Sequence, residues 1–295
     1  MVRCRGYAAA VLLPTARGNK LLWGYSEDMD PELQEVFNML VSSGINLYDT
    51  ADSYGTGKLE GRSEQLLGRF LDEYPGSPAV RDDVRIATKL AAYPWRLTPK
   101  QERLMWDGLV AIYEEGLVDA VGVSNYGPKQ LQKIGQYLDK RGVPLAAVQV
   151  QYSLLSRGSD QMAVKAACDD LGVALIAYSP LALGMLTGKY SLDDPSSLPG
   201  GPRGLVFRQV LPGLAPLLDL MGQIAKRRGK TLSQVAINWA ICQGAVPIPG
   251  AKDMAQAKEN LGALGWRLSD GEVRALNEAA DRVPKAMVQN VFQTQ

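Results

Sequence analysis

The chain has 295 residues, 46% of them hydrophobic and 21% charged, and 32 Lys+Arg against 31 Asp+Glu leave a net charge of +1. That balance excludes a polyanion-binding surface, which needs a concentrated basic excess, and it excludes disorder, because the apolar fraction can bury a full core. The chain contains no histidine, which rules out Ser-His-Asp and Cys-His nucleophilic machinery and every His-ligated metal site.

Acid–base chemistry therefore falls to Asp, Glu, Lys, Tyr or Cys. Cys4, Cys168 and Cys242 are odd in number and far apart, which gives neither a disulfide framework nor a metal-ligand spacing and points to a reducing compartment. No apolar run approaches the roughly 18 residues of a membrane helix, so no membrane is expected as a partner, and the balanced charge gives no reason to expect a nucleic acid.

Residues 1–26 hold Arg3, Arg5, Arg17 and Lys20 but no acid, which reads either as the remnant of an organelle transit peptide or as a leader with one short apolar strand over 7–13. The expected organisation is a leader over 1–20 and one domain over 21–295. From residue 31 the pattern alternates. Helical spacing covers 31–42, 63–74, 101–115, 129–141, 160–171 and 232–243, and apolar strand-like runs cover 45–51, 84–90, 118–124, 146–152, 173–180 and 245–251. Gly44, Gly116, Gly142, Gly172 and Gly244 each follow a predicted helix where a left-handed cap is needed. Repeated helix–glycine–strand units predict a parallel sheet.

A doubly wound dinucleotide-binding domain would show G-x-G-x-x-G after its first strand, and no such run exists; Gly55-Thr56-Gly57 lacks the third glycine. The fold class is thus α/β, a (β/α)8 TIM-type barrel. It is an incomplete one: between Lys89 and Val118 only one helix fits, so the chain is short of one βα unit. The interval from 181 to 244 is long instead, with a Pro/Gly-rich excursion over 193–202 that reads as a functional loop.

Active sites of such barrels lie at the C-terminal ends of the strands. There the sequence places Asp49 and Tyr54, then Lys89, Ser124 with Asn125, Gln149, Tyr178 with Ser179, and Gly250 with Lys252. A tyrosine is a poor acid at neutral pH until a nearby ammonium stabilises its phenolate. Lys89 can supply that charge, Asp49 can hold the lysine, and a phenol so tuned can protonate a carbonyl oxygen as hydride arrives at carbon. Lys252 precedes a helix opening at Asp253, where a phosphate would meet both a cation and free backbone N–H groups. Gln149 or Gln151 can equally be a satisfied interior amide.

The runs Leu47-Tyr48-Asp49-Thr50-Ala51-Asp52-Ser53-Tyr54-Gly55, Ala87-Thr88-Lys89, Val121-Gly122-Val123-Ser124-Asn125-Tyr126, Tyr178-Ser179-Pro180-Leu181 and Pro247-Ile248-Pro249-Gly250-Ala251-Lys252 resemble the aldo-keto reductase family. Ala92-Tyr93-Pro94-Trp95-Arg96 and the ending Gln289-Asn290-Val291-Phe292-Gln293-Thr294 resemble its plant plastid branch. The resemblance implies a barrel that binds NADP(H) in an extended pose and reduces aldehydes and ketones, with a small-molecule carbonyl substrate and a plastid location, or a cytoplasmic one. It implies Tyr54 as general acid, Lys89 as its partner and Asp49 as the partner of that lysine. It further implies Ser124, Asn125 and Gln149 at the nicotinamide carboxamide and Tyr178 on the ring. Ser179, Leu181, Gly184 and Lys189 would line the pyrophosphate, Gly250 and Lys252 the adenosine phosphate, and Gln256, Glu259 and Asn260 the adenine end. No metal is implied.

The family's fourth catalytic residue is a histidine on the strand after the lysine-bearing one. Here Leu97-Thr98-Pro99-Lys100 runs directly into a stretch that resembles a later helix, so about thirty residues are missing by that resemblance. A runner-up reading is a catalytically weak NADP(H)-binding regulatory or partner protein on the same scaffold, and a third is a truncated or mis-spliced product.

Overall fold

The computed structural model describes residues 11–12, 25–52, 54, 60–89, 99–284 and 287. A two-residue strand β1 (Val11–Leu12) comes first; the remainder of the expected leader, the Leu22-Trp23-Gly24 run, 92–96 and 289–294 lie outside the described residues. Helix α1 (Asp30–Ser42) carries Pro31 in its first turn, where a missing N–H costs nothing. It buries Leu33, Val36, Phe37, Leu40 and Val41, the i, i+3, i+4 stripe of a helix on a sheet. Then follow β2 (Leu47–Asp49), α2 (Arg62–Asp72), α3 (Pro78–Asp82), β3 (Arg85–Ala87), α4 (Pro99–Glu114), β4 (Val121–Ser124) and α5 (Pro128–Asp139). The second half runs β5 (Leu145–Gln151), α6 (Ser159–Leu171), β6 (Ala174–Tyr178), α7 (Gly201–Val210), α8 (Ala215–Arg228), α9 (Leu232–Cys242), β7 (Val246–Ile248), β8 (Gly250–Ala251), α10 (Met254–Leu261) and α11 (Asp270–Asp281). The five glycines expected to stop helices all have positive φ, between 67° and 87°. No single helix among the described residues is long and apolar enough to cross a membrane.

Every ladder is parallel. β8 pairs with β1, β2 with β3, and β4 through β7 form one four-stranded sheet. β7 and β8 are separated only by Pro249, and β1 lies beside β2, so the strands follow one another as in a TIM-type barrel. Its core is built from inward and outward faces of β5 and β6 with α6, α8, α9 and α11; Trp239 stacks on Tyr152 at 5.3 Å and donates to Asn277 Oδ1 at 2.9 Å.

The departure from closure lies where the sequence is short. No ladder joins β3 to β4 among the described residues. Tyr48 and Ile86 are in register on neighbouring strands and so face the same way. Tyr48 is fully buried under α1, 4.9 Å from Phe37, whereas Ile86 remains 40% exposed. Among the described residues, β3 lacks the helical cover that β2 has.

Candidate active site

Asp49 ends β2, Lys89 lies two residues beyond β3, Ser124 ends β4, Gln149 lies in β5, Tyr178 ends β6, and Gly250 starts β8. Asp49, Ser124 and Tyr178 thus stand where their strands run out and Lys89 just beyond, whereas Gln149 lies two residues before the end of β5 and Gly250 at the start of β8.

The centre of the site is the Lys89 ammonium. Its Nζ donates to Asp49 Oδ1 at 2.6 Å and to the Thr50 carbonyl at 2.9 Å, and stands 3.3 Å from the Tyr54 hydroxyl. It also lies 4.8 Å from the centroid of the Tyr54 ring. Asp49 is buried at 3% exposure, so its carboxylate has no recourse to water and depends on these donors. A further donor reaches it from across the barrel: Gln149 Nε2, at 2.6 Å from the same oxygen. The strand ends are tied to α2 by the Thr50 hydroxyl, which bonds Ser63 Oγ at 2.8 Å, and by the Thr88 hydroxyl on the Glu64 carboxylate.

Burial pushes the Tyr54 phenol well above its ordinary value, and the Asp49 carboxylate and Tyr178 push it the same way. Burial lowers the Lys89 ammonium below its ordinary value, an effect that Asp49 opposes through its charge and hydrogen bond. The lysine is expected from the sequence to make Tyr54 a stronger acid; in the free protein burial acts on the phenol in the opposite direction.

A second group surrounds this centre. The Tyr178 hydroxyl donates to Asn125 Oδ1 at 3.0 Å, and Asn125 N donates to the Gln149 carbonyl at 2.9 Å. Asn125, Ser179, Ala182 and Leu183 have φ of 51–59°, and they are the four non-glycine residues with positive φ among those described. Such strain is costly for side-chain-bearing residues and concentrates where a backbone is shaped for a ligand. In the turn after β6, Gly184 has φ 95°, and a Cβ there would lie 3.1 Å from the Tyr190 ring, so only glycine fits. Leu181 and Ser179 are half-buried along the same turn, and Arg203 of α7 donates to the Leu183 carbonyl. Lys189 is exposed, its ammonium 5.9 Å from the Tyr190 ring centroid, and joins neither group.

Beyond β8, Asp253 caps α10 by accepting from Gln256 N at 2.8 Å, and Gln256 Oε1 accepts from Lys252 N at 3.3 Å. Asn260 Nδ2 donates to the Gly250 carbonyl at 3.2 Å. Glu259 instead accepts from the Thr231 hydroxyl at the start of α9. Lys252, Gln256, Asn260 and Gly250 therefore form one knot at a helix N-terminus.

Sequence reasoning missed Thr50 as a lysine acceptor, the Gln149–Asp49 bond and the Arg203 contact. The first was readable, since Thr50 follows Asp49 directly. The other two join elements far apart in sequence and carry no local signal. Gln151, the other candidate interior amide, donates to Ser156 Oγ at 2.8 Å and takes no part in the centre.

Three comparisons bear on this arrangement. The profile of the Aldo/keto reductase family matches residues 18–105 and 98–281, two stretches that overlap at the start of α4. The chain is 54% identical to a chloroplastic pyridoxal reductase of Arabidopsis thaliana, over 95% of this chain and 85% of that one. That alignment spans 312 positions, more than this chain possesses, so part of the relative has no counterpart here. Identity to the L-glyceraldehyde 3-phosphate reductase of Escherichia coli strain K12 is 26%, over 81% of this chain and 84% of that one. Among solved structures, a glycerol dehydrogenase from Gluconobacter oxydans superposes with a TM-score of 0.67 at 22% identity, covering 92% of each chain. A thermostable aldo-keto reductase bound to the inhibitor epalrestat gives 0.65 at 21%, over 92% of this chain and 94% of that one; both establish the fold.

Proposed function

This chain belongs to the aldo/keto reductase family of oxidoreductases, and from that premise we propose that residues 21–295 form an NADPH-dependent reductase of small aldehydes and ketones, with Tyr54 as general acid. The observation that carries the reading is the position of Lys89 Nζ, within 3.3 Å of Asp49 Oδ1, the Thr50 carbonyl and the Tyr54 hydroxyl together. A lysine–carboxylate pair so placed does little for stability that a well-packed apolar pair could not do. Beside a phenol at the mouth of a barrel the lysine has a chemical use.

The residues present suit the cofactor. Ser124, Asn125 and Gln149 offer one hydroxyl and two amides, the donor and acceptor types a nicotinamide carboxamide needs, and Tyr178 offers an aromatic face. The strained turn with Ser179, Leu181 and Gly184 exposes backbone to a pyrophosphate, and Lys189 adds a cation on its outer side. Gly250 and Lys252 would receive the adenosine phosphate, and Gln256, Glu259 and Asn260 the adenine end; Lys252 at the start of α10 is what would favour NADPH over NADH. The cofactor, when bound, supplies the hydride. Tyr54 then gives its proton to the carbonyl oxygen. The burial that raises its pKa does not prevent this, because the oxygen becomes a far stronger base as negative charge develops on it. Asp49 keeps Lys89 oriented, and Lys89, the best-placed cation, limits the charge left on the phenolate.

Pyridoxal, the substrate named for the 54% identical relative, is the first aldehyde to assay. The basic, acid-free first 26 residues and the chloroplastic location of that relative support delivery to a plastid, with 1–20 as a leader. The test is Tyr54→Phe: NADPH should still quench or enhance protein fluorescence with unchanged affinity, while reduction of pyridoxal or nitrobenzaldehyde disappears. Retained reduction would assign the proton to another group. A second reading, an NADPH-binding protein with feeble turnover, is favoured by the open β3–β4 junction together with the absence of histidine. Tight NADPH binding with no turnover of any aldehyde would select it.

A further inference from the structure

Of the two glutamines on the inner face of β5, only Gln149 reaches the centre of the site. It lies 100 residues from Asp49 in sequence, yet its Nε2 stands 2.6 Å from the oxygen that Lys89 Nζ also meets at 2.6 Å. Both Gln149 and Asp49 are buried, at 8% and 3% exposure, so neither group exchanges this bond for water. A donor this close to a buried carboxylate makes a charge-assisted bond, about twice as strong as a neutral one.

We infer that Gln149 is a positioning residue for the Asp49–Lys89–Tyr54 set: its amide holds the Asp49 carboxylate from across the barrel and sets how firmly that carboxylate holds the Lys89 ammonium. The inference deepens the functional reading and rests on it for its kinetic consequence, though not for its first test.

The electrostatics have a definite direction. Among the described residues, the groups that face Lys89 are Asp49 from β2, Tyr54 from the loop beyond it, and, past Tyr54, Tyr178 from β6. Asp49 is the carboxylate among them. Every hydrogen bond donated to it disperses its negative charge and weakens its stabilisation of the ammonium. Gln149 therefore lowers the basicity of Lys89 in the same sense as burial does. The lysine side chain keeps 24% exposure, so it can exchange protons with water. A lysine made less basic yields its proton more easily, beside a phenol that must regain one after each turnover.

Gln149→Met keeps the length and volume of the side chain and removes the donor; Gln149→Asn keeps the amide and withdraws it by one methylene. The first measurement needs no cofactor. Lysine labelled with 13C at Cε is titrated by NMR, and the Lys89 signal is identified by its loss in Lys89→Met. In either variant the midpoint of Lys89 should rise by about half a pH unit or more. The alkaline limb of kcat/KM for aldehyde reduction should move in the same direction, which a merely structural role would not produce. An unchanged or lowered midpoint in a variant with native circular dichroism overturns the inference. A raised midpoint in a protein that reduces no aldehyde upholds it and defeats the functional reading instead; turnover with an unmoved midpoint does the reverse.

Discussion

Lys89→Met separates what the central lysine does for folding from what it does for chemistry. Removing the ammonium leaves the Asp49 carboxylate at 3% exposure with Gln149 as its remaining side-chain donor among the described residues. Breaking one partner out of a buried ion pair costs about 3–5 kcal/mol, because the other charge is left uncompensated. Gln149 offsets part of that, so a loss of about 3 kcal/mol at pH 7 is expected. Urea unfolding at pH 7 measures this directly, and the double variant Lys89→Met/Asp49→Asn removes the stranded charge and should recover about 2 kcal/mol. A single variant as stable as the unmodified chain, or a double variant no more stable than the single one, would refute the description of Asp49 as a buried charge held by Lys89.

Two more outcomes follow from other parts of the barrel. Lys252→Ala should weaken NADPH about tenfold, or about 1.4 kcal/mol, and leave NADH affinity unchanged, as read by fluorescence titration with both cofactors; equal effects on the two would dissociate Lys252 from the 2′-phosphate. Arg228 bonds Glu272 through Nη2 to Oε2 at 2.6 Å and Nε to Oε1 at 3.2 Å, and holds its carboxyl down at about 2. That depressed value contributes stability above the ordinary carboxylate value of about 4.3, which is lost as pH falls toward 2; thermal melts between pH 5 and pH 2 should show Glu272→Gln with a flatter acid limb.

The central triad was legible because each member stands at or just past a strand end, where periodicity stops and a polar side chain interrupts an apolar run. The strands themselves were over-read: β2 covers Leu47–Asp49 where the apolar run spans 45–51. Hydrophobicity marks what is buried, whereas a ladder needs a partner at every residue, and the flanking residues leave the sheet to reach helices. The long interval before β7 was read as loop around 193–202, yet α7 begins at Gly201. Its opening Gly-Pro-Arg-Gly carries turn residues, and the apolar stripe that stabilises it appears only later, with Phe207 buried and edge-on to Tyr190 at 4.8 Å. α8 was missed although Leu217, Met221 and Ile224 sit on one face, because Pro216 in its first turn resembles a breaker. The role of Gln149 toward Asp49 was out of reach of any local pattern, since it depends on how far apart two strands stand across the barrel.

The missing unit bears on function through the same geometry. The two stretches of family match overlap at 98–105, and among the described residues β3 has no ladder to β4. Both signs point to one junction, the approach to α4, and the alignment to the chloroplastic relative, longer than this chain, agrees that residues are lacking somewhere. Inserting a strand and a helix there, with the histidine that the family resemblance implies, should raise stability and activity together. Covering Ile86, now 40% exposed, contributes about 1–2 kcal/mol, and pairing the open strand edges adds to it. A histidine placed to hydrogen-bond the carbonyl oxygen is worth about 10²–10³ in rate. Closing the ring beside Lys89 also corrects any misplacement of the Asp49–Lys89–Tyr54 set, where about 1 Å costs on the order of 10²-fold. Replacing that histidine by alanine within the inserted unit separates these two gains: loss of the whole increase assigns it to the hydrogen bond, and retention of a part assigns that part to closure. Steady-state kinetics and urea unfolding on all three proteins measure both effects. Equal kcat/KM for the chain with and without the insert, in proteins of native circular dichroism, would show that the site is already complete as it stands, with Gln149 and Lys89 sufficient to hold it.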